Sequence, residues 1–256
     1  MVYDRAVPPP SITYWLELGA VAVLTSIVSG VMGMAGGMLL LAVLLLRLEP
    51  AVAIPVHGVV QLVSNASRAF FLRRHIKWSA VWRFVWPLLP AGALGIWLLA
   101  YVPIGASRVA IALFVLVTTW HHSFFTVGKG ERAKAALPIG GALVGFFSTL
   151  VGATGPLLGP FILALDLGGQ PTIATLAACQ IFQHGSKVLL FGLRGFDVAD
   201  YLPPCALLCL CAIAGSAIGT RLLDRLPEKT FKVTVRLTLS ALASQQLYVG
   251  LLSLMP

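Results

Sequence analysis

The chain has 256 residues, of which 58% are apolar and 11% charged, and its net charge is +9. A soluble domain carries about 25% charged residues, and burial is limited by the ratio of surface to volume, so a mean hydropathy of +0.92 excludes a water-soluble fold of this length. The basic residues form short clusters between apolar runs, which is typical of cytoplasmic loops in membrane proteins and disfavours nucleic-acid binding.

Apolar segments follow one another along the chain at about 13–47, 51–72, 79–101, 106–127, 136–166, 172–193, 201–223 and 231–254. Six of them have roughly the 20 residues that a spanning helix needs. The first and the fifth are longer, and glycine interrupts each of them. Because glycine and proline in apolar stretches favour discontinuous helices, each is predicted to form either a re-entrant hairpin or two short crossings. The N-terminus lacks the basic start of a signal peptide, so the first segment is expected to stay in the mature protein.

The second half of the chain repeats the first. A shift of 119 positions aligns residues of the same type, in order: Ser29 with Ser148, Gly33 with Gly152, Gly36 with Gly155, Gln61 with Gln180, and Ser67 with Ser186. Chance explains matches at these residue types less readily than matches at leucine. Two transmembrane repeats are therefore predicted, at 11–127 and 135–254, with a polar cytoplasmic linker at 128–134.

Loop charge indicates how the two repeats are oriented. A hairpin and three spanning helices make an odd number of crossings, so the second repeat would be inverted. The loops near 73–83, 128–134 and 221–232 then share one side, with eleven basic residues against four on the other. Parallel repeats of four crossings each give nine against six. The positive-inside rule favours the inverted arrangement, with both termini outside the cytoplasm.

A polar stripe runs along the segment that follows the first glycine break. Its members are spaced at i, i+4, i+7, i+8 and i+11, which places them on one helical face: His57, Gln61, Ser64, Asn65 and Arg68. A matching stripe follows the second break: Gln180, Gln183, His184 and Lys187. Polar groups that face lipid are costly, so both stripes are predicted to face a polar pocket at the interface between the repeats.

Two alternatives to a binding site remain open for these stripes. The amides could serve only as hydrogen bonds between helices. Arg68 and Lys187 lie near the ends of their segments, where long cationic side chains extend to the membrane interface.

The glycine breaks are a second candidate feature. A helix that begins near Gly37 or Pro156 would present free N–H groups and the positive end of its dipole, which binds anions without a cationic side chain. The expected binding residues at the breaks are Gly36, Gly37, Thr154 and Gly155, with Ser29 as a further hydroxyl donor. Close packing of helices through small residues is the alternative explanation.

Catalytic and metal chemistry find little support in the sequence. No carboxylate pair occupies an apolar segment, no cysteine or histidine spacing resembles a zinc site, and no glycine-rich loop with Lys-Ser/Thr is present. The chain is therefore predicted not to be an enzyme, with no cofactor and no metal site. His57 and His184 are the candidate proton carriers because they lie on the polar stripes.

Several motifs together resemble the TauE/SafE family of sulfite exporter-type permeases, over about 15–250. They are Gly33–Gly37 with Pro50, the run Arg73–Trp78, the run Gly145–Pro156, the run Gly195–Asp197, and the run Gly219–Pro227. The resemblance implies a bacterial inner-membrane transporter of small anions such as sulfite, sulfoacetate or taurine-derived products, with duplicated halves. Ala35 and Thr154 interrupt the family's longer glycine runs, and the stripes are richer in polar groups, so the substrate is expected to differ from sulfite.

The sequence therefore predicts an all-α polytopic membrane protein that acts as a secondary transporter of a small anion, by alternating access at the repeat interface. The open alternatives are an anion channel and a non-transporting membrane assembly subunit. The expected partners are the anionic substrate and the lipid bilayer, without nucleic acid. Proton coupling, sodium coupling and a homodimeric state are open alternatives too.

Overall fold

The computed structural model describes residues 12–32, 35–121, 127–222 and 228–255. These residues form α-helices, two short 3-10 helices and turns, without a strand. The helices in chain order are α1 Ile12–Met32, α2 Ala35–Leu44, α3 Pro50–Phe71, α4 Trp78–Val85, α5 Leu88–Leu99, α6 Ile104–Trp120, α7 Glu131–Val151, α8 Gly155–Leu163, α9 Gly169–Leu193, α10 Leu202–Leu222 and α11 Glu228–Leu252. The 3-10 helices are Arg73–His75 and Val198–Tyr201.

The first long apolar segment is a hairpin of unequal arms. With 21 residues α1 is long enough to cross a bilayer, whereas α2 has only 10, about 15 Å of helix. Helix α2 returns along α1, because Gly36 packs so closely on the Thr25 carbonyl and Ser29 that no side chain would fit there. The Arg47 guanidinium lies 6.0 Å from the Tyr14 ring centre. Both ends of the hairpin therefore lie at one end of the bundle, which corresponds to the re-entrant alternative.

The second long apolar segment has the same form. Helix α7 ends where Gly152 adopts a φ of 81°, a conformation that glycine reaches without steric cost. Helix α8 then begins at Gly155 with Pro156 in its first turn, where the missing N–H of proline has no partner to lose. Gly140 of α7 lies against the ring of Phe161, so α8 returns along α7.

Four helical stretches are long and apolar enough to cross a membrane: Ile12–Val31, Trp78–Leu99, Glu131–Val151 and Val198–Leu222. The prediction of an all-helical polytopic membrane protein is thus confirmed. The predicted segment 79–101 is two helices, α4 and α5, separated by a turn at Trp86 and Pro87. The predicted segment 106–127 ends as a helix at Trp120, and residues 122–126 lie outside the described residues.

Helices α3 and α9 form the centre of the bundle and pack on each other. Around them α1 packs on α10, α7 on α4 and α5, and α6 on α11. The outer pairs approach closely through glycine: Gly219 of α10 meets Ile27 and Gly30 of α1, and Gly95 of α5 meets Phe146 and Thr149 of α7. Small residues allow such close backbone contact in a bilayer, where packing must hold the helices together.

Candidate functional site

The two polar stripes face each other inside the bundle. All nine of their side chains are buried, with exposed fractions of 5% or less. Helices α3 and α9 cross antiparallel, because Gly58 lies beside Lys187 and Leu62 lies beside Gly185. Each stripe therefore faces protein instead of lipid, as the cost of polar groups in hydrocarbon predicts. Arg68 and Lys187 are both 0% exposed, so neither extends to the surface.

Lys187 connects both breaks to the central helices. Its Nζ donates to the Gly152 carbonyl at 2.7 Å and to His57 Nδ1 at 3.1 Å. An ammonium can only donate, so His57 Nδ1 accepts, and the proton of its neutral ring lies on Nε2. That nitrogen donates to the Gly37 carbonyl at 2.9 Å. One chain of contacts thus joins the end of α7, α9, α3 and the start of α2.

A second contact holds α9 to the start of α8. Gln183 Nε2 donates to Thr154 Oγ1 over 2.8 Å, and both side chains are fully buried. Beside this contact lies a small cavity, with room for about one water molecule. Predicted site residues from both stripes and both breaks line it: Ser29, Gly37, His57, Gln61, Thr154, Gly155, Gln180 and His184.

Arg68 is held only by its own helix. Its NH1 donates to Asn65 Oδ1 at 3.1 Å, and Asn65 Nδ2 donates to the Gln61 carbonyl at 2.8 Å. Arg68 Nε, Arg68 NH2 and Gln61 Nε2 are buried without a hydrogen-bond partner among the described residues. Three strong donors therefore remain available to a ligand along the α3 stripe.

The charge of the stripes is uncompensated. Neither Arg68 nor Lys187 pairs with a carboxylate in the described part of the chain, where the only salt bridge joins exposed Lys134 and Glu131 at 2.7 Å. A buried cation without an anion is strongly disfavoured. The interior therefore has a positive potential that a bound anion would neutralise.

Two predicted site residues lie away from the cavity. Ser64 belongs to a buried hydroxyl cluster, 3.0 Å from Ser216 Oγ of α10 and 3.4 Å from Ser26 Oγ of α1. Gly36 packs against α1, so it agrees with the packing explanation for the break. The sequence reading missed Ser26 and Ser216, whose only signal is a small polar residue inside an apolar helix.

A further polar cluster was missed at the end of α2. Arg108 NH1 donates to the Leu45 carbonyl at 3.0 Å and to Gln246 Oε1 at 2.6 Å. Gln246 Nε2 donates to the same carbonyl at 3.1 Å. A cation suits the negative end of a helix, and this one anchors α2 to α6 and α11. An arginine inside an apolar segment is the signal that would have found it.

A polar, positively charged interior between broken helices of a membrane bundle is the arrangement of a secondary transporter. The chain belongs to the sulfite exporter TauE/SafE family, whose family model matches residues 18–245. The resemblance predicted from the motifs is thereby confirmed, and it places the chain in a family of membrane transporters and not of enzymes. No curated protein and no solved structure matches the chain.

Proposed function

We propose that this protein is a secondary transporter of a small anion, such as sulfite, an organosulfur anion or a short organic acid, in the bacterial inner membrane. The observation that carries the proposal is the pair of fully buried cations, Arg68 and Lys187, without a carboxylate partner among the described residues. An anion of one or two charges would neutralise them, and the unpartnered donors of Gln61 and Arg68 would hydrogen-bond its oxygens.

Alternating access would arise from two inverted repeats, at about 11–127 and 135–254. The packing pairs support this arrangement, because exchanging the two halves reproduces them. Gly219 meets Ile27 and Gly30, while Gly95 meets Phe146 and Thr149, and the last two residues lie 119 positions after the first two. The antiparallel crossing of α3 and α9 is consistent with the same exchange, since it pairs corresponding helices of the two halves.

The two cations would act as gates on opposite sides of the site. Lys187 lies beside Gly58 of α3, and Arg68 lies ten residues further along that helix, roughly 15 Å away at 1.5 Å per residue. The cavity between the breaks lies nearer to Lys187, through His57. An anion moving across the bundle would thus meet first one cation and then the other.

The breaks would contribute backbone donors. Helix α8 begins at Gly155 beside the cavity, and Gly37 lies in the first turn of α2. Both helices are short, so their N-termini act here together with the buried side chains of the stripes. This division of roles makes the cations supply the charge and the amides and N–H groups supply the geometry.

Transport would be tested with purified protein in liposomes, by following uptake of radiolabelled sulfite, thiosulfate, methanesulfonate and acetate. The proposal expects saturable uptake of one anion class that unlabelled members of the class inhibit. Arg68→Gln and Lys187→Gln should each reduce uptake at least tenfold, whereas Arg73→Gln, an exposed cation, should not. Uptake that never saturates would favour a channel, and unchanged uptake in both buried variants would contradict the proposed site.

A further inference from the structure

The two histidines of the site differ in what their nitrogens contact. Both nitrogens of His57 are engaged, Nδ1 by Lys187 and Nε2 by the Gly37 carbonyl. A proton added to His57 would have to displace the Lys187 ammonium from Nδ1. His57 is therefore a positioning residue that holds Lys187 between the two breaks.

His184 has no such engagement. Its Nδ1 is buried without a hydrogen-bond partner among the described residues, and its ring lines the cavity. The ring centre lies 5.5 Å from that of His57, edge to face. A nitrogen free of partners beside a cavity is the position from which an imidazole can gain and lose a proton.

The charges around His184 oppose its protonation as long as no anion is bound. The groups that act on it are Lys187 on its own helix and Arg68 and His57 on α3, and none of these is acidic. The 3-10 helix Arg73–His75 and α4 pack on α9 further away, near Thr175, whose hydroxyl accepts from the Lys77 N–H. A third positive charge among buried cations is strongly disfavoured.

A bound anion reverses this balance. An anion between Arg68 and Lys187 attracts an imidazolium at His184 as it attracts the two cations. Anion and proton would then each strengthen the binding of the other by the same factor, because linkage is reciprocal.

We propose that His184 takes up one proton at Nδ1 when the anion binds and releases it when the anion leaves, so that the protein moves anion and proton together. This rests on the proposed function, because it presumes the anion site. The stripes hold the second role in the same step: Arg68 and Lys187 bind the anion, while His184 carries the charge that couples it to the proton gradient.

The test is the binding of methanesulfonate, sulfate and nitrate to the detergent-purified full chain at pH 6, 7 and 8. These anions do not titrate in that range, so any change reports on the protein. The parent should bind at least one of them more tightly as the pH falls, by up to about tenfold per pH unit, the limit for one linked proton. Titration calorimetry in two buffers of different ionisation enthalpy should show close to one proton taken up per anion.

His184→Gln should bind the same anion with an affinity that no longer depends on pH. His57→Gln should bind more weakly but keep the pH dependence, and His75→Gln, an exposed residue, should behave as the parent. Thermal unfolding checks that each variant is folded, and proton uptake by the parent remains decisive if His184→Gln is not.

The outcomes separate the two proposals. Anion binding that is independent of pH, or that depends on sodium instead, would overturn the proton coupling and leave the anion site standing. A pH dependence that survives in His184→Gln would overturn the role of His184. Absence of binding for all three anions at every pH would overturn the anion site, and the coupling with it.

Discussion

The two buried cations occupy corresponding positions of α3 and α9 but are held in different ways. Lys187 donates to the Gly152 carbonyl and to His57, and so joins both breaks to the central helices. Arg68 donates only to Asn65 on its own helix, and two of its nitrogens have no partner among the described residues. The comparison indicates that Lys187 stabilises the closed arrangement of the protein, whereas Arg68 is the cation left available to a ligand.

The largest expected effect belongs to Arg68. In Arg68→Gln, anion binding should weaken by about 3 kcal/mol, roughly 100-fold in Kd, because a charge-assisted contact in a buried site is lost. The unliganded protein should become more stable, by about 1 kcal/mol, because an unpaired buried charge is removed. Titration calorimetry and thermal unfolding measure the two effects, and Arg73→Gln is the exposed control. Unchanged binding together with a lower unfolding midpoint would mean that Arg68 is structural.

Lys187 should show the opposite effect on stability. In Lys187→Met, the unfolding free energy should fall by about 2–3 kcal/mol, because the buried Gly152 carbonyl and His57 Nδ1 lose their donor. Denaturation in a constant detergent measures this change. Lys134→Met removes a lysine that is 50% exposed and paired only at the surface, so it should cost almost nothing. A Lys187 variant as stable as the parent would remove the distinction between the two cations.

The contact between Gln183 and Thr154 tests whether the α9 stripe is committed to the second break. The single variants Gln183→Leu and Thr154→Val and their double variant form a thermodynamic cycle. The pair should have a coupling energy of about 1 kcal/mol in unfolding free energy, the usual value for a buried neutral hydrogen bond. A coupling energy near zero would show that the contact does not hold α8 to α9.

Asn65 should show the smallest effect. Its hydrogen bonds lie within α3, so Asn65→Ala should reduce the unfolding free energy by about 0.5–1 kcal/mol. Binding should weaken about threefold, because Arg68 loses the contact that orients it. Ser67→Ala, on the same helix with a hydroxyl bonded to the Ser64 carbonyl, provides the matched control. An equal loss of binding in both variants would mean that Asn65 does not orient Arg68.

Much of the fold could be predicted because it follows from local patterns. The stripes on α3 and α9 were predicted from spacing alone, since residues at i, i+4 and i+7 share a helical face. The breaks were predicted from glycine and proline. The split of segment 79–101 was missed although Pro87 marks it, because an apolar run of full length was taken as one helix.

The contacts within the site could not be predicted in the same way. Lys187 meets His57 across 130 positions, and Ser64 meets Ser216 across 152. Such contacts depend on which helices are neighbours and on how each is rotated, and no single segment carries that information. The spacing could place Arg68 and Lys187 on polar faces, but not distinguish the cation bonded to the protein from the one left free.

The most direct test of the account is the thermal unfolding of the purified protein with and without small anions, in the parent, in Arg68→Gln and in Lys187→Gln. The account predicts that one class of anion raises the unfolding midpoint of the parent, and that Arg68→Gln abolishes this increase while unfolding at or above the midpoint of the unliganded parent. An increase of the same size in Arg68→Gln, or no increase with any anion, would contradict the claim that the buried cations form an anion site.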